Sequence, residues 1–285
     1  MWFLLSLGSA FFDSLKDVTA KIVSKEIDAY TVAWANRFFG LIFILPVMLF
    51  NIPNHLGIEF WKALAVVGVL NSINSVLYIK ALKDTPLSIV TPITSLTPIT
   101  VLLFSSILAS ETPSLVGFLG IIIAVIGTYV LQISQRHTGF LKPLTSLWTN
   151  VGQRYVFIVV ILWGITSVFD KIAIQHSNPL FYLGAANIVY TLALFPFVIF
   201  KPGRLQIAIT NYKKFLPVGF FYAVSTGLQF LALPFTLVSY VLSIKRASSV
   251  FGVIWGKFFF NETNLRERMF GSLIIIAGVI LIIFA

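Results

Sequence analysis

The chain is a succession of apolar stretches of about 20 residues, the length that a helix needs to cross the hydrocarbon core of a bilayer. Short polar breaks separate these stretches, and Asn178-Pro179 and Lys201-Pro202-Gly203 are typical helix-start or turn signals. Hydrophobic residues make up 58% of the chain and charged residues 11%, against roughly 25% charged residues in a soluble domain. A water-soluble fold could not cover so much apolar surface, so the sequence predicts an all-α, multi-pass membrane protein.

Ten transmembrane helices are expected from this pattern. The predicted spans are 2–24, 30–50, 60–81, 86–108, 114–133, 155–175, 179–200, 215–233, 235–260 and 268–285. The first span allows a second interpretation, because its apolar run ends at Phe12 and charged residues follow up to Lys21. An amphipathic helix that lies on the membrane surface would fit this pattern as well.

The two halves of the chain share one pattern. Corresponding residues lie about 150 positions apart: Lys21 and Lys171, Pro46 and Pro196, Leu82 and Leu233, Glu111 and Glu262, Gly120 and Gly271, Gly127 and Gly278. An internal duplication gives such a displacement, and it sets the first helix opposite the clearly apolar sixth, which favours a transmembrane first helix. We expect a five-helix repeat over 1–135, an inter-repeat loop over 136–154 and a second five-helix repeat over 155–285.

An odd number of helices in each repeat has a topological consequence. The second repeat must enter the membrane from the opposite side, so the two halves would form a 5+5 inverted repeat. This architecture is common among transporters, whose substrate site lies near the bilayer midplane and which work by alternating access. An old duplication in a membrane receptor or scaffold is the alternative.

Motifs near the helix ends add a further indication. Trp163-Gly164 is followed after six residues by Lys171, Ala81-Leu82-Lys83 precedes Pro86-Leu87-Ser88 and Pro98, and Glu-x8-Gly-x6-Gly segments begin at Glu111 and Glu262. Together these motifs resemble the EamA family of the drug/metabolite transporter superfamily, over both repeats. The resemblance implies ten helices in a 5+5 inverted repeat and the movement of small metabolites, often amino acids or related compounds and commonly outward.

The sequence departs from the EamA pattern at three places. Asp13-Ser14 stands in the first repeat where the second has Trp163-Gly164, and Ser249 stands in the second repeat where the first has Pro98. The adjacent cations Lys245 and Arg246 lie in a helix that is apolar in many members. The resemblance therefore does not identify a substrate.

Charged residues inside apolar helices usually face a cavity or a partner, so they indicate where a substrate binds. Some candidates lie near helix ends, from where a side chain can reach the membrane surface. These are Lys21, Lys80, Asp170, Lys171 and Lys257. Asp13, Asp17, Lys245 and Arg246 are expected to lie deeper and to face an inward site or an ion pair.

The deep charges suggest a chemistry for the site. We expect Arg37, Lys245 and Arg246 to bind a carboxylate or phosphate of the substrate. Asp13 and Asp17 would bind a substrate amine, neutralise the empty site or carry a coupling proton. Polar side chains at helical spacing complete the predicted substrate-binding set, although each also fits an interhelical hydrogen bond: Asn71, Asn74, Tyr78 and Gln229.

Other residues indicate mechanical roles. Pro92 and Pro98 are expected to kink the fourth helix, either as a gating hinge or as a static bend. Gly252 and Gly256 would allow close helix contact, within a monomer or between the subunits of a homodimer. The glutamate that opens each Glu-x8-Gly-x6-Gly segment is expected to cap the helix that follows it.

The sequence therefore predicts a secondary transporter in the cell membrane. Its substrate would be a small polar metabolite, such as an amino acid or another amphoteric or anionic compound, and its export by alternating access is expected. The other expected partners are membrane lipids and a coupling proton. Nearly all loop cations lie in odd-numbered loops, which puts both termini outside by the positive-inside rule, whereas the family resemblance implies cytoplasmic termini.

Several other function classes are not expected. An intramembrane lipid-modifying enzyme would need clustered carboxylates, and Asp13 with Asp17 is the only close acidic pair among the deep charges. No cofactor or metal is expected, because the chain has no Cys and its three His are far apart. The net charge of +10 does not indicate nucleic-acid binding, since the cations are scattered between apolar runs.

Overall fold

The computed structural model describes residues 1–23, 26–85, 87–134, 150–260 and 265–285, and within these the regular structure is helical. The helices are α1 Trp2–Val23, α2 Ala29–Leu49, α3 Ile58–Asp84, α4 Leu87–Thr94, α5 Thr97–Leu108, α6 Leu115–Ser134, α7 Val151–Gln175, α8 Pro179–Leu194, α9 Pro196–Ile199, α10 Arg204–Thr210, α11 Tyr212–Ala232, α12 Val238–Lys245, α13 Ser248–Phe260 and α14 Leu265–Ile283. Pro86, Glu262 and most of the predicted inter-repeat loop lie outside the described residues.

The described part of the chain contains seven helical segments that are long and apolar enough to cross a membrane. They are Ala29–Leu49, Ile58–Ala81, Ile89–Leu108, Leu115–Gln132, Val151–Gln175, Pro179–Ile199 and Tyr212–Phe235. This confirms the all-α, multi-pass character predicted from composition. The first helix, α1, is continuous over Trp2–Val23, but its charged residues set it apart from these seven.

Two helices are interrupted at corresponding positions of the two halves. The predicted kink in the fourth helix is a break at Ser95-Leu96, with Pro98 in the first turn of α5. In the second half the prediction of one helix over 235–260 is wrong, since α12 ends at Lys245 and α13 begins at Ser248. The two breaks are 151 residues apart, and the second contains no proline. The interruption is therefore a property of the repeat and not of proline alone.

The chain packs into two compact units, each built from both halves of the sequence. The first unit comprises Met1–Ser72 and Phe169–Pro234, and the second comprises Ile73–Val168 and Phe235–Ala285. In the first unit α11 packs against α1 and α2, and α2 packs against α8. Its apolar core includes Trp34, Phe39 and Phe215.

The contact between α6 and α14 dominates the second unit and depends on glycine. A Cβ added to Gly127 would lie 2.6 Å from the backbone nitrogen of Ile275, and a Cβ added to Gly278 would lie 2.5 Å from that of Ala124. Gly127 and Gly278 are 151 residues apart, as are Ala124 and Ile275. The same close backbone contact is thus made twice, which is the structural expression of the internal repeat.

The spacing of Gly252 and Gly256 allowed a close helix contact within the fold, but Gly252 makes none with the described residues. Among the described residues nothing lies within 4 Å of a Cβ added to Gly252. Gly256 itself is buried. A contact between subunits at Gly252 stays a prediction.

Replacing Gly278 with Ala should destabilise the protein, because the new methyl group would meet the α6 backbone. We expect the free energy of unfolding to fall by about 1–3 kcal/mol, the usual cost of overpacking. Gly252→Ala is the matched control and should be neutral or stabilising by up to about 1 kcal/mol, since Ala favours a helix and the site is open. Unfolding in detergent micelles measures both variants, and equal destabilisation would contradict the packing described.

Candidate functional site

The first unit holds a connected set of polar side chains contributed by α2, α3, α7, α8 and α11. We refer to it as the tyrosine cluster. Its members are Arg37, Asn71, Asp170, Tyr182, Asn187, Tyr190 and Tyr222. Only Arg37 and Asn71 belong to the predicted substrate-binding set.

The carboxylate of Asp170 lies at the buried end of this cluster. The residue is 8% exposed, and its Oδ1 accepts a hydrogen bond of 2.5 Å from the Tyr182 hydroxyl and a longer one of 3.5 Å from the Tyr190 hydroxyl. The prediction that Asp170 and Lys171 reach the membrane surface is wrong, since Lys171 is also buried. The chain turns back within three residues after α7, so α8 covers this end of the helix. Lys21, Lys80 and Lys257 are exposed, and that they reach the membrane surface stays a prediction.

Arg37 is held by two tyrosines. Its guanidinium lies 4.6 Å from the centre of the Tyr190 ring and donates a hydrogen bond of 3.0 Å to the Tyr222 hydroxyl. The Tyr222 hydroxyl donates in turn to Oδ1 of Asn187 at 2.5 Å. Stacking on an aromatic ring stabilises a guanidinium without a carboxylate in direct contact.

Tyr190 links the two parts of the cluster. Its hydroxyl accepts a hydrogen bond of 3.1 Å from the Asn71 amide and donates toward Asp170, while its ring carries the Arg37 guanidinium. Sequence reasoning missed the tyrosines and Asn187. The available signal was the spacing of Tyr182 and Tyr190, eight residues apart in α8 and so on one face of that helix.

The acidic residues of α1 form an ion-pair group with Lys16. The Lys16 ammonium lies 2.6 Å from Oδ1 of Asp13 and 3.2 Å from Oδ1 of Asp17. Asp13 also lies 3.4 Å from the Ser225 hydroxyl of α11, and Gln229 follows one turn later in that helix. The Asp17 side chain is 66% exposed, so of the two expected environments it has the ion pair. Asp13 lies three residues from Lys16 and four from Asp17, so the two carboxylates are on neighbouring turns of one helix face and can share one cation.

The second unit contains two further predicted residues of α3, Asn74 and Tyr78. The Tyr78 ring packs against that of Trp163, with 5.4 Å between centroids. Asn74 is 2% exposed, and its amide has no hydrogen-bond partner among the described residues. A buried amide without a partner is uncommon, which keeps Asn74 a candidate for binding a small molecule or water.

The adjacent cations Lys245 and Arg246 lie at the break between α12 and α13. Lys245 is in the last turn of α12 and Arg246 is its C-cap residue, and both are half-buried. A cation at the C-terminus of a helix is stabilised by the helix dipole, which explains why two can be tolerated here. The interrupted helices of the two halves also meet, since α12 packs against α5 within the second unit.

Glu111 has a partner that the sequence did not indicate. It was expected to cap α6, but its Oε2 accepts a hydrogen bond of 3.0 Å from the backbone N–H of Val238, the first residue of α12. Ser114 caps α6 instead, accepting from the N–H of Gly117 at 3.1 Å. Glu111 thus fixes the start of an interrupted helix that is distant in sequence, where its charge also complements the helix dipole.

The predicted substrate-binding residues divide between the two units. The first unit contains Asp13, Asp17, Arg37, Asn71 and Gln229, and the second contains Asn74, Tyr78, Lys245 and Arg246. Within the first unit Arg37 and Asn71 are joined through Tyr190, while Asp13 and Asp17 are joined through Lys16. That all nine line one cavity stays a prediction.

The repeated helix interruption and glycine contact agree with a comparison of the sequence with known families. The model of the EamA-like transporter family matches residues 1–133 and 150–284. The chain belongs to the EamA-like transporter family. It is a multi-pass transporter of the cell membrane, and the predicted resemblance is confirmed in both halves.

The chain is also similar to individual proteins. The chain is 30% identical over 131 residues to a Salmonella typhimurium protein named "Probable amino-acid metabolite efflux pump", a match that covers 45% of this chain and 41% of that protein. It is 24% identical over 285 residues to an "Uncharacterized transporter" of Archaeoglobus fulgidus, covering 98% and 97% of the two chains. A solved crystal structure shares the fold with a TM-score of 0.75 at 13% identity, over 98% of this chain and 95% of that one.

Removing the Glu111 carboxylate should loosen the start of α12. We expect Glu111→Ala to lower the free energy of unfolding by about 0.5–2 kcal/mol, the usual cost of losing an N-terminal helix cap. Glu111→Gln keeps an oxygen acceptor without the charge, so its loss should be smaller. Thermal unfolding in detergent compares the variants, and wild-type stability of Glu111→Ala would contradict the capping role.

Proposed function

We propose that this protein is a secondary transporter that exports a small polar metabolite, an amino acid or another amphoteric or anionic compound, by alternating access. Ten helices would form a 5+5 inverted repeat, with the repeats over 1–135 and 155–285 and a connecting loop over 136–154. The family match to both halves and the doubled contact between α6 and α14 support this arrangement. The name of the Salmonella typhimurium relative supports the substrate class.

The observation that carries the proposal is the pair of interrupted helices at corresponding positions. Interrupted helices often line the substrate and ion sites of transporters built from inverted repeats. The breaks lie at Ser95-Leu96 and Arg246-Ala247. Two cations at the second break, Lys245 and Arg246, suit the carboxylate or phosphate of a substrate.

The remaining residues of the predicted set have supporting roles in this proposal. Arg37, held against Tyr190 and Tyr222, offers a further cation. Asp13 offers a carboxylate to a substrate amine, and Asp17 acts through the Lys16 that both share. The polar side chains that would complete the site are Asn71, Asn74, Tyr78 and Gln229.

A transport assay tests the substrate class directly. The purified protein is reconstituted in liposomes, and uptake of each of the common amino acids and of small organic anions is followed with and without a pH gradient. We expect saturable transport of at least one amphoteric or anionic compound. Absence of transport for the whole panel would contradict the proposal and favour a scaffold or receptor.

Substitutions test the residues. We expect Arg246→Gln and Asp13→Asn to reduce transport about tenfold or more, since each removes a charged hydrogen-bonding partner of the substrate. Lys257→Gln is the control, because it removes an exposed cation of α13 from the same stretch of chain. Unchanged transport in both site variants, with normal insertion in the membrane, would reject the assignment.

A further inference from the structure

We propose that Asp170 binds the coupling proton of this transporter. The positive charge of Arg37 interacts with Asp170 differently in its two protonation states. This inference rests on the proposed secondary transport and adds the residue that couples it to a proton gradient. In the sequence analysis, carrying a coupling proton was one of three roles open to Asp13 and Asp17. Both of these share Lys16, whereas Asp170 is not part of any ion pair within the described residues.

The surroundings of Asp170 suit a group that gains and loses a proton. Tyrosine hydroxyls can donate to a carboxylate and can accept from a carboxylic acid, so Tyr182 and Tyr190 can serve both states. The hydrogen bonds from Tyr182 at 2.5 Å and Tyr190 at 3.5 Å are donated to the same oxygen, Oδ1. Ionisable side chains inside membrane helices commonly mark proton pathways.

A path of hydrogen bonds leads from the buried carboxylate to a more accessible residue. The Asn71 amide donates to the Tyr190 hydroxyl, which lies within reach of Asp170, and Asn71 is only half-buried. When Asp170 binds a proton, its new O–H needs an acceptor. A hydroxyl that accepted it would turn its own hydrogen elsewhere, so protonation would rearrange the bonds between α3, α7 and α8.

The internal repeat shows that the corresponding part of the first half folds without such a cluster. The positions that correspond to Asp170, Tyr182 and Tyr190, 150 residues earlier, are Ala20, Val32 and Gly40. Ala20 and Val32 pack in one apolar cluster between α1 and its neighbours. The first repeat thus packs these positions with apolar residues, so the buried carboxyl of the second repeat has a role beyond packing.

The charges around Asp170 give the coupling its physical basis. The titratable groups that face it are Tyr182 and Tyr190 of α8, with Arg37 of α2 and Tyr222 of α11 beyond the Tyr190 ring, and Lys171 follows it in α7. The step is the binding of one proton to one carboxylate, without any other bond made or broken. It removes a negative charge from the side of Tyr190 opposite Arg37, so a charged substrate in the first unit binds differently to the two states.

Infrared spectroscopy tests the protonation without any substrate. Difference spectra between the full-length wild type and Asp170→Asn in liposomes are recorded over a range of pH. We expect the Asp170 signal to change from a carboxylate band at high pH to a carboxylic-acid band at low pH. One unchanging band over the whole range would overturn the inference.

Proton flux tests the coupling. Liposomes that contain a pH-sensitive dye are supplied with a mixture of the common amino acids carrying a radioactive label. We expect the wild type and the exposed-carboxyl control Glu59→Gln to move protons together with label, in either direction. Asp170→Asn should exchange label at equal pH but move protons no faster than protein-free liposomes. Substrate-dependent proton flux in Asp170→Asn would overturn the inference.

The outcomes separate this inference from the proposed function. If the wild type moves no label, the proposed substrate class fails, while the infrared experiment still decides whether Asp170 takes up a proton. If Asp170→Asn does not fold, Tyr182→Phe keeps the carboxyl and removes its shortest hydrogen bond. The midpoint of transport against pH should then move, whereas the exposed Tyr212→Phe should leave it in place. An unmoved midpoint in Tyr182→Phe would overturn the inference.

Discussion

In the hydrocarbon core of a bilayer, every backbone N–H and C=O must find its partner within the protein, because no water is present to replace it. This constraint explains the helical architecture and makes close approach between helices the main means of association, since lipid tails are as apolar as the side chains. The contact between α6 and α14 meets this requirement by placing glycine against backbone in both directions. A side chain at Gly127 or Gly278 would separate the two helices.

Two features of this protein depart from regular, apolar membrane helices. At Ser95-Leu96 and Arg246-Ala247 the regular α-helical hydrogen bonds give way to tighter ones between residues three apart, inside apolar segments. The buried carboxyl of Asp170 and the stacked guanidinium of Arg37 bring charge into the first unit. Such features raise the free energy of a folded membrane protein. Their occurrence in a transporter therefore indicates a role in function and not in stability. The tyrosine cluster lies in the first unit, and the two breaks at corresponding positions lie in the second.

Helix limits were largely predictable, because they depend on local properties of the chain. Apolar runs and turn residues place most helix ends within a few residues, and Pro98 marks the first break. The second break has no proline, so the continuous apolar run to Phe260 concealed it. The candidate site was less predictable. Asp170 was assigned to the membrane surface from its distance to a helix end, but the return of the chain through α8 covers it.

The sequence by itself determined the membrane class, the helical secondary structure and the internal repeat, because these follow from hydropathy, local turn signals and residue spacing. Only the tertiary structure decided which polar groups meet. Glu111 caps α12 instead of α6, Lys16 lies between Asp13 and Asp17, and Tyr190 joins Asn71 to Asp170. Except for the ion pair within α1, these contacts join distant parts of the chain. A linear pattern carries no information on them, since they depend on how the helices pack.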